Sequence, residues 1–151
     1  MNLLIISRPG IRIYQELRRS ETAWHALRFY NPIEISVGIL VPVNSLSAAL
    51  SLASDLKYFI RKYGTDQFFG ISPGTYCTLA VAKTRYLNRE SPPVTNPWPW
   101  KFWYWVTPDG EISRRYHPFG QEHAEYEEIN KCGYSFEIWC NEPEFQVLDI
   151  R

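Results

Sequence analysis

The sequence predicts an α+β fold: a single domain with a mostly antiparallel sheet and two or three helices packed on one face. Three observations carry that reading. Residues 33–41 place Ile33, Ile35, Val37, Ile39 and Val41 at every second position, with Glu34, Ser36, Gly38 and Leu40 between them. Residues 45–63 carry an apolar stripe at three-and-four spacing. Residues 102–116 read as two strands around a tight turn. Strands that cluster late and return on themselves favour antiparallel pairing with helices to one side.

In chain order, Leu3-Leu4-Ile5-Ile6 reads as a buried strand closed by a turn at Arg8-Pro9-Gly10. Residues 11–30 read as helix, with Ile13, Tyr14, Leu17, Trp24 and Leu27 near one face. Ser20 or Thr22 is placed to restart it midway. Asn31-Pro32 ends it, because the residue before proline is pushed out of the α region. Ile33, Ile35, Val37, Ile39 and Val41 then alternate as one strand ending at Pro42. Asn44 or Ser45 caps the next helix. Its stripe is Leu46, Ala49, Leu50, Ala53, Leu56, Phe59, Ile60 and Tyr63, with Gly64 as the glycine stop.

Phe68-Phe69 is a short apolar piece. Ser72 as cap and Pro73 in the first turn open a helix through about Asn88, although Tyr76 to Tyr86 also alternates as a strand would. Four prolines in residues 91–99 make an extended connector inside the domain. Phe102 to Val106 and Glu111 to Tyr116 form a hairpin about Thr107-Pro108-Asp109-Gly110. Gln121 to Asn130 has helical composition, Tyr134 to Cys140 reads as a strand, Asn141 to Glu144 as a turn, and Phe145 to Ile150 as a last strand. No internal repeat is visible.

The 151 residues fit one domain, and the 45% apolar and 16% aromatic content excludes a disordered chain. No apolar run approaches the roughly 20 residues of a spanning helix. Met1-Asn2 leads directly into the first strand with no basic lead or cleavage site, so export is not expected. Cys77, Cys132 and Cys140 are odd in number and far apart, which reads as reduced thiols in a cytoplasmic protein rather than a disulfide framework. The motifs of P-loops, dinucleotide folds, nucleophile elbows and zincins are absent, as is any paired C-x-x-C, so no cofactor or metal is expected.

Two constellations remain. Trp98, Trp100, Trp103 and Trp105 fall within eight residues, with Phe102 and Tyr104 between them. A strand over 101–106 would put Trp103 and Trp105 on one face and Phe102, Tyr104 and Val106 on the other. The bland account is a second small core. The functional account is an aromatic face for a protein partner, since tryptophan and tyrosine concentrate at binding hot spots. Base stacking is possible but lacks a dense basic frame. The second constellation is Arg114, Arg115, His117 and His123, with Glu122 and Glu125 beside them. Two histidines and an arginine clamp are the parts of a metal-independent RNA-cleaving site. A polar loop followed by an acidic helix explains the same residues.

Net charge is zero, but unevenly spread. Residues 1–63 hold eight Lys/Arg against four Asp/Glu, whereas residues 119–151 hold two against eight, a net −6. An acidic surface including Glu122, Glu125 and Glu128 would steer a basic partner. The sequence therefore points to a non-catalytic interaction domain of immunity, antitoxin or inhibitor kind, with no membrane association. The alternative is a small RNA-binding or RNA-cleaving protein using His117 and His123.

Overall fold

The structure is a computed structural model that describes residues 2–72, 74–88, 99–106, 112–116 and 134–150. Of Asn88, Trp105, Val106, 112–116, 134–135 and 147–150 it describes the backbone alone. The chain is α+β, and five of the six described strand pairings are antiparallel. It divides into two compact units, Met1–Gly70 and Ile71–Arg151.

In the first unit, β1 (Asn2–Ser7) is flanked on one side by β3 (Gly38–Pro42) and on the other by β4 (Gly64–Ser72), with β2 (Ile33–Ile35) beyond β3. Leu3 and Ile5 lie opposite Val41 and Ile39, and Leu3 also faces Phe69. Those five side chains have no exposure at all, which locates the core of this unit. The turn after β1 follows its sequence. Gly10 takes φ 79° and Ile11 N–H donates to Arg8 O at 3.0 Å, the geometry that Pro-Gly at the centre of a type II turn provides.

The helical segment 11–30 is broken where expected. α1 (Ile13–Arg19) and α2 (Glu21–Leu27) meet at Ser20, whose hydroxyl accepts from Ala23 N–H at 3.3 Å. A short 3-10 turn follows, and Asn31 ends it in the left-handed region at φ 52°.

The expected single strand over 33–41 is two strands. β2 and β3 form a hairpin about Ser36-Val37, with Ile35 paired to Gly38. Gly38 opens β3 at a close approach to β1. A Cβ there would lie 1.9 Å from Ile5 O, so the chain passes β1 too closely for any side chain.

The expected continuous helix 45–63 is likewise two: α3 (Leu46–Asp55), capped by Ser45 through Ala48 N–H at 3.1 Å, and α4 (Lys57–Tyr63). Leu56 leaves helical geometry between them and is fully buried. Leu50 and Phe59, expected in the stripe, are only half-buried, and Leu52 takes an inner place that the stripe omitted. Gly64 ends α4 with extended backbone, φ −110°, rather than the left-handed stop expected of it. It is there for space, since a Cβ would stand 2.9 Å from Ile60 O.

In the second unit the strand order is β5 (Thr75–Cys77), β8 (Tyr134–Trp139), β6 (Lys101–Val106), β7 (Ile112–Tyr116). β5 and β8 run parallel and the other pairs antiparallel. The hairpin of β6 and β7 matches its sequence; its turn lies outside the described residues, as do residues 91–98 of the proline connector and the helix expected over 121–130.

Two expectations fail here. The helix expected from Ser72 through Asn88 is β5 followed by α5 (Leu79–Asn88). Gly74 sits at φ 78°, which no helix accepts, and Thr78 is the real cap, accepting from Val81 N–H at 3.4 Å. The expected last strand is α6 (Glu142–Ile150). Asn141 and Glu144 form a capping box: Glu144 N–H donates to Asn141 Oδ1 at 2.9 Å, and Asn141 N–H donates to Glu144 Oε1 at 3.1 Å. Six helices are thus described where two or three were expected, because both long helical segments break and the C-terminal segment coils.

Candidate functional site

The β6–β8 pair decides which aromatics are core. Phe102 lies opposite Ile138 and Tyr104 opposite Phe136. All four are buried, and the Tyr104 and Phe136 rings stack at 5.6 Å with planes 7° apart. Tyr76 adds an edge-on contact to Phe136 at 5.6 Å. This face is a finished aromatic core.

Strand alternation places the neighbouring residues on the other face. Trp103 lies opposite Glu137, and Lys101 opposite Trp139. None of the four is fully buried. They are tied together: Trp139 Nε1–H donates to Glu137 Oε2 at 3.1 Å, and Lys101 Nζ pairs with Glu137 Oε1 at 3.0 Å, each charged side chain 17% exposed. A carboxylate held from both sides fixes Trp139 in one orientation, and Trp103 lies across the strand pair from that carboxylate. A rigid aromatic surface loses little side-chain entropy when something docks on it.

Of the expected partner-binding residues, Trp103 is therefore on this half-buried face. Trp105 follows on β6 with its backbone opposite Ser135 and Ser113. Trp100 is placed differently: its ring rests against Phe145 of α6 at 5.3 Å, and its carbonyl accepts from Cys140 N–H at 2.9 Å. That is the packing role weighed for the cluster. Trp98, Glu122, Glu125 and Glu128 lie outside the described residues, as do His117 and His123. Arg114 and Arg115 are in β7, opposite Tyr104 and Trp103.

Lys101, Glu137 and Trp139 were missed from sequence. Their signal was present: Ser135, Glu137 and Trp139 alternate with Phe136, Ile138 and Cys140 along β8. It marks a strand with one core face and one polar-aromatic face.

Next to this sheet, one carboxylate serves two helices. Glu144 Oε1 closes the capping box of α6 and also accepts from Thr78 Oγ1–H, the α5 cap, at 2.7 Å. Burial pushes the Cys77 thiol up to about 12, opposed by Arg85 and assisted by Glu144; burial and then Glu144 push Cys140 up to about 12 as well. The Cys140 thiol donates to Trp100 O at 3.5 Å, and neither thiol is a poised nucleophile. Cys132 lies outside the described residues.

The first unit holds an open groove of about 390 Å³ lined by Ser7, Ile11, Arg12, Glu34, Ile35, Ser36 and Gly38. Its two charges satisfy each other, with Arg12 Nε donating to Glu34 Oε2 at 3.0 Å and Nη2 donating to Oε1. Among the described residues no group of three or more His, Cys, Asp or Glu is placed to hold a metal, and no helix is long and apolar enough to cross a membrane. Comparison with known proteins finds no family model, no curated protein and no solved structure that matches this chain.

Proposed function

We propose that this chain is a non-catalytic protein-interaction domain whose second unit binds a basic partner, in the manner of an immunity, antitoxin or inhibitor protein. The supporting observation is the Trp103–Trp139 face. Among the described residues Phe102, Tyr104, Phe136 and Ile138 form the buried face of β6 and β8, and the two half-buried tryptophans lie on the opposite face, outside that core. Large rigid aromatics among charged neighbours are the composition of a binding hot spot. The net −6 of residues 119–151 supplies the sign of the partner.

The test begins with a partner recovered from the native cell and its footprint by hydrogen exchange. Protection should centre on 101–105 and 135–139. Trp103→Ala should then weaken binding by at least about 2 kcal/mol, mainly through faster dissociation. Neutralising Glu122, Glu125 and Glu128 together should slow association and flatten its salt dependence. A footprint that avoids both β6 and β8, or an unchanged dissociation rate in Trp103→Ala, would reject this reading.

A further inference from the structure

The first unit carries a second surface, of opposite charge, on α4. Its exposed residues are Lys57, Tyr58, Arg61 and Lys62, with Tyr58 63% exposed. Arg8 adds a guanidinium at the C-terminal end, where Nη2 donates to Arg61 O at 2.9 Å and Nε donates to Lys62 O at 3.2 Å. Three cations thus lie on two helical turns, and a fourth stands at the helix end. Among the described residues none of them is paired with a carboxylate. The acid nearest in sequence, Asp55, ends α3.

Helix electrostatics explains part of this cluster. Arg61 and Lys62 are in the last turn and Arg8 caps its carbonyls, all favourable to the dipole. Lys57 is the first residue of the helix, where a cation opposes the dipole, and no acid occupies that turn. Folding gives no reason for it. Nor does folding need Tyr58 exposed: Lys62 Nζ donates to the Tyr58 hydroxyl at 3.3 Å and lies 5.6 Å from its ring centre and 5.3 Å from that of Tyr63. These contacts fasten a positive charge beside an accessible ring. The hydroxyls of Tyr58 and Tyr63 also hold the Lys62 pKa above its usual value.

From this we infer that α4 binds single-stranded nucleic acid, with a base stacked on Tyr58 and the flanking phosphates on Lys57, Arg61 and Lys62. Lys57 and Arg61 stand four residues apart, neighbours on one helix face, so two phosphates of one strand can be met without distortion. An exposed ring among cations is the arrangement by which single strands are held without sequence preference. An acidic peptide would use the cations and leave the ring idle.

The experiment is fluorescence anisotropy of a short labelled oligouridine with the full chain at several salt concentrations. Binding is expected, with log K falling against log salt at a slope of about −2, the value for roughly three neutralised phosphates on a single strand. The Lys57→Glu, Arg61→Glu double variant should lose at least about tenfold in affinity and most of that slope. Tyr58→Ala should lose about tenfold while Tyr58→Phe keeps wild-type affinity, because stacking needs only the ring. All these positions are exposed, and far-UV circular dichroism checks that the variants are folded. No binding by wild type overturns the inference. So does a charge reversal without effect, a silent Tyr58→Ala, or equal affinity for polyglutamate or phosphatidylserine vesicles.

Discussion

Single residues in this protein are constrained mainly by distance. Gly38 and Gly10 make the contrast. At Gly38 an added Cβ would overlap Ile5 O, whereas at Gly10 nothing lies within 4 Å and only the positive φ objects. Gly10→Ala should therefore cost about 1–2 kcal/mol, the strain of a left-handed L-residue. Gly38→Ala should cost about 3 kcal/mol or more, because two strands must separate. Chemical denaturation of both variants orders them, and equal costs would mean that β3 can shift away from β1. The thiols are a second residue-scale case. In the folded protein Cys77 and Cys140 stay protonated until about pH 12, against 9.0 for a free thiol. Their contribution to stability is therefore full below pH 9 and is lost as pH rises from there to about 12. At pH 8 both should resist alkylation in the native state and react at once in denaturant, read by intact mass.

Elements here are held by caps and by a few fully buried side chains. Leu56, at the break between α3 and α4, is 0% exposed. Leu56→Ala should lower stability by about 2–5 kcal/mol. Leu50→Ala should cost clearly less, since Leu50 is half-buried. A denaturation midpoint moved equally by both would show that the break is not a packing centre. Glu144 joins α5 and α6 by serving both caps. Replacing it with alanine leaves Thr78 Oγ1 and Asn141 N–H without their acceptor and should cost about 1–3 kcal/mol. Glu144→Gln should recover part of that, because its amide oxygen still accepts. Hydrogen exchange at the first turn of each helix locates the effect, which should appear in both. The capping box was legible as Asn141-x-x-Glu144 ahead of Phe145 and Val147-Leu148. Asn-Glu-Pro-Glu reads as a turn because turns and helix N-termini favour the same residues: asparagine opens both, and proline is tolerated in a first helical turn as it is in loops.

For the whole molecule, two strands define where opening is hardest. β1 is paired on both sides and its Leu3, Leu4, Ile5 and Ile6 are all buried. β8 is likewise paired on both sides in the second unit. Amides of β1 and β8 should exchange slowest within 1–70 and 71–151 respectively, and those of β2 and β7, each paired on one side within its unit, should exchange faster. Faster exchange in β1 than in β2 would contradict the described pairing.

Local chemistry was enough for the α+β class, the Pro-Gly turn at 9–10 and the β6–β7 hairpin, and it narrowed two helix caps to pairs, Ser20 or Thr22 and Asn44 or Ser45, of which the fold uses Ser20 and Ser45. Each depends on residues within a few positions of one another: a ring that sets φ, a hydroxyl that reaches an amide three residues on, an alternation that survives one strand. Half of the candidate face was legible in the same way, as Trp103 on a strand. What needed the fold was every feature set by a distant neighbour. Gly38 has no room for a side chain because it passes against Ile5, a residue more than thirty positions away. The break at Leu56 has no glycine or proline to announce it and is seen only with its burial. Trp139, Lys101 and Glu137 join Trp103 because β8 pairs with β6, and strand pairing at that separation in sequence is decided by which faces must be buried together, not by either strand alone.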